Sequence, residues 1–261
     1  MLIVVNADDF GGSEETVRAT IECFEQGALT SATIMPNMPA TDAAVEYARS
    51  RPDLSFGVHL TFVTDGLDQP LADPAGLDRL LGPDGRFLPT GEVRRRALLR
   101  RIPVEQIARE AEAQLTFLRD RGVPISHVDS HRHVHKFGPF REALASVLPR
   151  FGVRRVRNVQ DVWLRRPLKS PTYWLGGVWR RQLTRRFVTT DHFYMPTSAH
   201  DTGWEDALLA VARALSGGSL ELGVHPGFEE ASRRDERETV QRFAPRALAE
   251  GHRLVPWTEV G

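Results

Sequence analysis

The chain of 261 residues lacks the features that define several large classes of protein. Its single cysteine, Cys23, excludes an intrachain disulfide and favours a reducing, cytoplasmic compartment. The first apolar run covers only residues 2–5, and no other run approaches the length of a membrane span, so we expect neither a signal peptide nor a transmembrane helix. The formal net charge is zero, which argues against a general role at nucleic acids or membrane surfaces.

Sequence motifs for several kinds of catalysis are also missing. There is no G-x-S-x-G nucleophile turn, no phosphate-binding loop and no dinucleotide fingerprint. Cys23 lies within a predicted amphipathic helix, where packing explains it better than reactivity does. These absences direct attention to the aspartates and histidines.

Short apolar runs alternate with longer amphipathic segments along the whole chain. This alternation predicts a parallel sheet with crossover helices, in one domain covering residues 1–261. Because several predicted strands end in unusual polar residues, a closed or irregular (β/α) barrel of about seven strands fits better than an open sheet. The predicted strands are residues 2–6, 31–35, 54–60, 125–128, 153–156, 220–224 and 253–256.

The densest run of histidines is the segment HVDSHRHVHKF, residues 127–137. Four of the nine histidines of the chain fall here, which suits either a metal site or an exposed polar turn. In an extended chain His131, His133 and His135 would point to the same side. A solvated turn more commonly uses serine, asparagine, lysine or glycine, so the run favours metal binding or catalysis.

Other polar residues share one position, at the carboxyl end of a predicted strand. In a barrel such ends meet at one face, where catalytic groups lie. Each residue also has a simpler interpretation, because an aspartate pair can cap a helix and an isolated histidine can be structural. Together, however, these residues indicate a site, because all of them lie at or just after the ends of predicted strands. They are Asp8, Asp9, His59, Asp129, His131, Arg157 and His225.

These residue types can assemble a hydrolytic metal site. One carboxylate and two imidazoles form an open site that leaves positions for water and substrate. A divalent ion there polarises a carbonyl group and acidifies its bound water. A second carboxylate can then act as general base, and a further histidine can protonate a leaving group.

At these residues the chain resembles the YdjC/ChbG-like carbohydrate deacetylase family. The resemblance is specific because the motifs occur together, in family order, over nearly the whole chain. The motifs are VNADDFG at residues 5–11, TSATIMPN at 30–37, GVHLT at 57–61, HVDSHRHVH at 127–135 and HPGF at 225–228.

The resemblance implies a fold related to the polysaccharide deacetylase barrels and metal-dependent removal of an acetyl group from an N-acetylated sugar. It assigns Asp9, His59 and His131 as metal ligands, with Asp8 as the base and His225 as the acid.

The resemblance further implies that Asp129 orients a ligand imidazole. His133 and His135 are then expected on the substrate side. Arg157 is expected there as well, from its position at the end of a predicted strand. The divalent ion would be Mg²⁺ or Zn²⁺: the mixed ligands favour zinc, while the family is described with magnesium.

Two segments match none of these motifs: residues 64–91, which are predicted to form a long loop, and residues 161–196, which are predicted to be irregular. Residues 150–187 carry ten arginines and one lysine against one acid, Asp161, with aromatic residues interleaved. This basic aromatic segment fits a solvated face, a subsite for an anionic sugar or lipid-linked phosphate, or the interface of a homodimer.

Two other functions remain open from the sequence. The same residues could cleave a phosphoester or another amide. Alternatively, the protein could bind sugar without turnover, although a pure binding protein would need neither the acid nor the base.

Overall fold

The computed structural model describes residues 1–64, 69–196, 203–215 and 217–261. Within these ranges the sheet has seven strands, and all of its strand pairs are parallel. The strands are β1 (Leu2–Phe10), β2 (Ser31–Ile34), β3 (Ser55–Leu60), β4 (Ile125–Ser130), β5 (His192–Tyr194), β6 (Ser219–Val224) and β7 (Arg253–Leu254).

Helices connect the strands and cover the sheet. The amphipathic pattern explains α4, for example, whose inward residues Ile107, Ala111 and Leu115 are fully buried. The helices are α1 (Glu14–Glu25), α2 (Thr41–Ser50), α3 (Thr90–Leu98), α4 (Val104–Asp120), α5 (Gly138–Val147), α6 (Pro171–Thr184), α7 (Glu205–Ala214) and α8 (Ala231–Ala249).

The strands are arranged in the order β4-β3-β2-β1-β6-β5, with β7 beside the start of β1. The sheet curls so that its two ends approach each other. Isolated bridges join Val128 to Val156 and Arg155 to Val188, between β4 and the residues that lead into β5. The predicted α/β fold with a curled, irregular barrel-like sheet is therefore confirmed.

Two strand predictions differ from the structure, although the total of seven agrees. Residues 153–156 form isolated bridges rather than a regular strand. The strand β5 lies in a segment predicted to be irregular, because three residues are too short to show a periodic pattern. Its place in the sheet comes from pairing with β6, which is a tertiary contact.

Two helices were not predicted from the sequence. The helix α3 begins at the end of the predicted loop 64–91, and α6 lies within the basic aromatic segment. The helix α6 contains Gly176 and Gly177 in its interior, and glycine weakens a helical pattern. Of the loop 64–91, residues 65–68 lie outside the described ranges. The described part contains the short 3₁₀ turn Pro74–Gly76 and isolated bridges from Thr64 to Pro89 and from Leu81 to Phe87.

The core fixes the direction of the strands. Apolar residues of β1, including Ile3, Val4 and Val5, are fully buried, as expected for a parallel strand covered on both faces. The polar ends of β1, β3, β4 and β6 consequently emerge at one edge of the curled sheet. None of the helices in the described residues is long and apolar enough to cross a membrane.

Candidate active site

A cavity of about 390 Å³ opens at the carboxyl ends of the strands. It brings together six of the residues predicted for the site, from positions that are far apart in the sequence. Among the residues that line it are Asp8, Asp9, His59, His131, His133 and His225, together with Met195, Arg233 and Glu236. Asp129, His135 and Arg157 do not line this cavity.

Three potential metal ligands converge on one point of the cavity. Asp9 Oδ1 lies 3.0 Å from His131 Nδ1 and 3.3 Å from His59 Nε2. The two imidazole nitrogens are themselves 3.3 Å apart. Donor atoms at such separations can share one divalent ion, and a carboxylate with two imidazoles is an open set for Zn²⁺ or another transition metal.

A second group of possible ligands, Asp8, His59 and Asp129, is less suited to an ion. The guanidinium of Arg157 already lies between the two carboxylates, with Nη1 2.5 Å from Asp8 Oδ2 and 2.6 Å from Asp129 Oδ2. The guanidinium of Arg157 thus already neutralises the two carboxylates between which an ion would have to bind. The first group, Asp9 with His59 and His131, is therefore the better candidate.

The backbone at Asp9 explains how two consecutive carboxylates reach the same cavity. Side chains of neighbouring residues in a strand point to opposite faces. Asp9 has a positive φ of 57°, and the pairing of β1 with β2 shifts register between Ala7 and Phe10. This irregularity turns Asp9 towards the cavity, where Asp8 also contributes to the lining.

The histidine run is a compact turn, which corrects the expectation of an extended chain. A 3₁₀ turn occupies His131–Lys136, and Arg132 and His133 have left-handed backbone conformations. As a result His131, His133 and His135 do not point the same way. Asp9 and His59 contact His131, whereas His133 Nε2 lies 3.3 Å from the sulfur of Met195.

His135 does not reach the candidate active site. It is buried, and its Nδ1 lies 2.7 Å from the hydroxyl of Ser130. It borders a separate small cavity of about 40 Å³, whose lining also includes His133 and Trp163. The prediction that His135 contacts substrate is not supported by this position, whereas His133 lines the larger cavity.

Asp129 orients His59 from below the cavity. The two residues are neighbours in the register of β3 and β4, which places Asp129 Oδ1 2.7 Å from His59 Nδ1. Thr33 donates a hydrogen bond of 3.1 Å to the other oxygen of Asp129. Burial alone would lower the pKa of His59, but the charge of Asp129 raises that pKa to about 10.

Asp8 is held by Arg157, which corrects the predicted role of the arginine. Arg157 is fully buried, and its guanidinium donates to both oxygens of Asp8. It also pairs with Asp129 and Glu221, so its donors are directed away from substrate. Burial would raise the pKa of Asp8, but the Arg157 guanidinium lowers it to about 2.

Glu221 is a member of this cluster that the sequence did not reveal. It lies in the middle of β6, where the alternation of apolar residues gives no sign of a functional role. Its Oε1 accepts a hydrogen bond of 2.8 Å from Arg157 Nε. Burial raises the pKa of Glu221 to about 7 in spite of Arg157.

His225 and Glu236 form a second pair at the cavity. His225 Nδ1 lies 3.2 Å from Glu236 Oε2, and the backbone N–H of His225 donates to the same oxygen at 2.6 Å. Burial would lower the pKa of His225, but the Glu236 carboxylate raises it. Glu236 lies on α8 and was not predicted, because helical glutamates are common at solvated faces.

Arg233 is a further cavity residue that the sequence did not identify. It reaches from α8 to Asp9, with Nη2 2.5 Å from Asp9 Oδ2. The two oxygens of Asp9 therefore face different partners, Oδ2 the arginine and Oδ1 the two histidines. Hydrogen bonds to His131 and His59 hold the pKa of Asp9 well below its usual value against the effect of burial.

His127 is buried outside the cavity lining and has a structural position. Its ring stacks on Trp257 with centroids 4.9 Å apart, and Nε2 lies 3.1 Å from Asn6 Oδ1. Asn6 in turn donates a hydrogen bond of 2.9 Å to Asp8 Oδ1. Gly57 leaves room for the ring, since a Cβ there would lie 2.7 Å from His127 Cε1.

Comparison with known proteins identifies the family of the chain. A profile of the family described as YdjC-like protein matches residues 2–253. The chain belongs to the YdjC-like family. The family match covers the strands β1 to β6, from which Asp8, Asp9, His59, His131 and His225 emerge.

Curated relatives of this YdjC-like protein carry the name carbohydrate deacetylase. One from Thermoanaerobacter pseudethanolicus is 28% identical over 229 residues, which are 87% of this chain and 81% of the relative. One from Vibrio vulnificus is 31% identical over 202 residues, or 77% and 70% of the two chains. One from Geobacillus stearothermophilus is 38% identical over 172 residues, or 65% and 63%.

A solved structure supports the fold assignment. The protein is from Enterococcus faecalis and carries the provisional description of a cellobiose-phosphate cleavage protein. It superposes with a TM-score of 0.78 at 22% sequence identity, covering 98% of this chain and 97% of its own. At that identity the similarity establishes the shared fold and nothing further.

Proposed function

We propose that this YdjC-like protein is a metal-dependent carbohydrate deacetylase, which hydrolyses the acetamido group of an N-acetylated sugar to acetate and a free amine. The main support is one spatial arrangement. A trio of metal-binding groups, Asp9, His59 and His131, shares a cavity with a carboxylate, Asp8, and an imidazole, His225. The names of the curated relatives support the same class of reaction.

Asp9, His59 and His131 would hold a divalent ion, Mg²⁺ or Zn²⁺. Two imidazoles favour zinc, and the buried network around Asp129 keeps His59 in the orientation that presents Nε2 to the cavity. When bound, such an ion polarises the acetyl carbonyl group and lowers the pKa of water.

Asp8 is the proposed general base. Arg157 keeps its carboxylate ionised and fixed in direction, so it is ready to accept a proton from water throughout the neutral pH range. A carboxyl group with such a low pKa holds the proton only briefly. Attack of the water oxygen forms the new C–O bond at the acetyl carbon.

His225 is the proposed general acid. Its pKa is raised by Glu236, which keeps the imidazolium populated at neutral pH. Donation of that proton to the departing nitrogen lets the C–N bond break with release of a neutral amine. Acid and base thus act with separate partners, Glu236 for His225 and Arg157 for Asp8.

The test is a substrate panel that runs from N-acetylglucosamine monomers through oligomers to lipid-linked forms. We expect acetate and amine to appear in equal amounts, and activity to be lost with a chelator and restored by a divalent ion. Metal content is measured on the same sample. Phosphate release from phosphoester substrates would favour another hydrolase, and tight sugar binding without acetate release would favour a binding protein.

We also propose a cytoplasmic location, which rests on the sequence, and a homodimer, which rests on the resemblance to the family and uses a surface other than the exposed face of α6. The single cysteine, Cys23, is buried as a free thiol, which suits a reducing compartment. Fractionation of the native host and sedimentation of the purified protein test these two proposals.

A further inference from the structure

A surface unrelated to the cavity exposes unusually large apolar side chains. Leu168, Trp174 and Val178 are 58%, 67% and 49% exposed, and Leu175 next to them is also exposed. These four residues, on α6 and the loop before it, are called the α6 patch. Four large apolar residues this close together on a surface mark an interaction site more often than chance exposure does.

The α6 patch is ordered by its own contacts. The indole N–H of Trp174 donates a hydrogen bond of 3.0 Å to the carbonyl oxygen of Leu168, which joins the loop to the helix. Trp174 also packs edge-on against Tyr173, with ring centroids 5.2 Å apart. The opposite face of α6, with Trp179 and Leu183, is buried in the protein. The outer apolar residues are therefore not needed for the core.

Basic residues predominate in the segment that carries the α6 patch. Residues 162–190 contain no aspartate or glutamate. Asp161, just before this segment, is paired with Arg180 and His192. None of the exposed cations forms an ion pair with a residue that the structure describes. These cations are Arg165, Arg166, Lys169, Arg181, Arg185 and Arg186.

The positions of charge and apolar surface on α6 indicate a lipid interface. Trp174, Val178, Arg181 and Arg185 are spaced by four, three and four residues, so they form one exposed stripe along the helix. A helix that lies in a bilayer surface has this composition, with tryptophan and aliphatic residues at the acyl boundary and arginines among anionic headgroups.

Other partners fit these features less well. A two-fold contact between copies through this surface would place two basic segments side by side, and like charges repel. A nucleic acid would use the cations but would gain little from exposed Leu168 and Val178. We propose that the α6 patch binds the surface of a bilayer that contains anionic phospholipids.

The zero net charge of the chain is compatible with this proposal. The balance of 34 basic and 34 acidic residues is an average over the whole sequence, whereas binding depends on the charge near the surface that is in contact. The α6 patch and its cations lie in a locally basic region.

Cosedimentation with vesicles tests the proposal on the chain of 261 residues. Vesicles of phosphatidylcholine alone are compared with vesicles that contain equal parts of phosphatidylcholine and phosphatidylglycerol. We expect binding to the anionic vesicles that weakens at high salt, and little binding to phosphatidylcholine. The double variant Arg181→Ser/Arg185→Ser should reduce the partition coefficient roughly 30-fold, and Trp174→Ser should also reduce it.

Matched control variants distinguish binding through the α6 patch from nonspecific adsorption to vesicles. Leu248→Ser removes an equally exposed leucine from α8, and Arg119→Ser/Arg253→Ser removes two exposed arginines elsewhere. Both controls should bind vesicles as the wild type does. Asp8→Asn should do so as well, so the result is independent of the proposed deacetylase activity.

Three outcomes would overturn the proposal. The first is equal binding to both kinds of vesicle, or a loss of vesicle binding in the control variants as large as the loss in the α6 variants. The second is a dimer that Trp174→Ser dissociates, with no vesicle binding, which would assign the surface to a second copy. The third is binding of an oligonucleotide, but not of vesicles, that depends on Arg181 and Arg185.

Discussion

The guanidinium of Arg157 donates two hydrogen bonds, 2.5 and 2.7 Å long, to the carboxylate of Asp8, and both side chains are buried. The arginine fixes the direction of the carboxylate and keeps it ionised. Because Asp129 and Glu221 contact the same guanidinium, three acidic groups depend on one cation. The geometry of the site and the stability of the protein are coupled at Arg157.

Replacing Asp8 by asparagine tests its role as the base. We expect Asp8→Asn to retain the bound ion, since Asp9, His59 and His131 are unchanged. The rate of acetate release should fall by about 10² to 10⁴, the usual contribution of a general base. Metal analysis and turnover are measured on one sample, and a fully active variant would show that the base has been assigned incorrectly.

Replacing Arg157 by leucine should destabilise the fold. The change removes the guanidinium that pairs with buried Asp8, Asp129 and Glu221. Loss of one partner of a buried pair costs roughly 3–5 kcal/mol. Urea unfolding measures the loss. Arg150→Leu is the control, because its pair with Glu112 is exposed and contributes about 0–1 kcal/mol.

The loss in Arg157→Leu should depend on pH. In the wild type the lowered pKa of Asp8 contributes stability above the unfolded pKa of about 4, and that contribution disappears as the pH falls towards 2. Without Arg157, burial favours the protonated acids. The loss in free energy of unfolding should therefore be larger at pH 8 than at pH 5. An equal deficit at both pH values would contradict the charge argument.

The compact turn allows two neighbouring histidines to be compared directly. His131→Ala removes a proposed ligand, and we expect the bound ion to be lost or its affinity to fall by at least tenfold. His133→Ala alters the cavity wall beside Met195 and should retain the ion. Metal analysis of the two purified variants tests whether His131, but not His133, is a ligand. An ion lost equally from both variants would require a different set of ligands.

Glu236 should set the alkaline limit of activity through His225. A general acid must be protonated, so activity should decline as the pH rises through the pKa of His225. Glu236→Gln removes the carboxylate that raises this pKa, and the descending limb should therefore move to lower pH. Glu230→Gln, at the exposed rim of the same cavity, should leave the limb in place.

The sequence predicted those parts of the fold and site that have local signals. Apolar runs predicted the long strands, and the polar residues after β1, β3, β4 and β6 indicated where the cavity would be. Asp8, Asp9, His59, His131 and His225 were found in this way, and all five line the cavity.

The features that the sequence did not predict depend on tertiary contacts. Glu221 is held by Arg157, which is distant in the sequence. Glu236, on α8, is held by His225, which follows β6. Arg157 was predicted at the substrate because it follows a predicted strand, but its side chain is buried outside the cavity lining. The conformation of residues 131–136 could not be predicted either, since left-handed backbone at Arg132 and His133 has no clear pattern in those residue types.

The positive φ of Asp9 has an energetic consequence. A residue other than glycine in this conformation costs on the order of 1–3 kcal/mol, and here it also brings a second carboxylate beside Asp8. Glycine would relax the backbone and remove the charge, but it would leave His59 and His131 without their shared carboxylate. Asp9 is thus a point of local frustration, where the conformation required for chemistry opposes the one that folding alone would select.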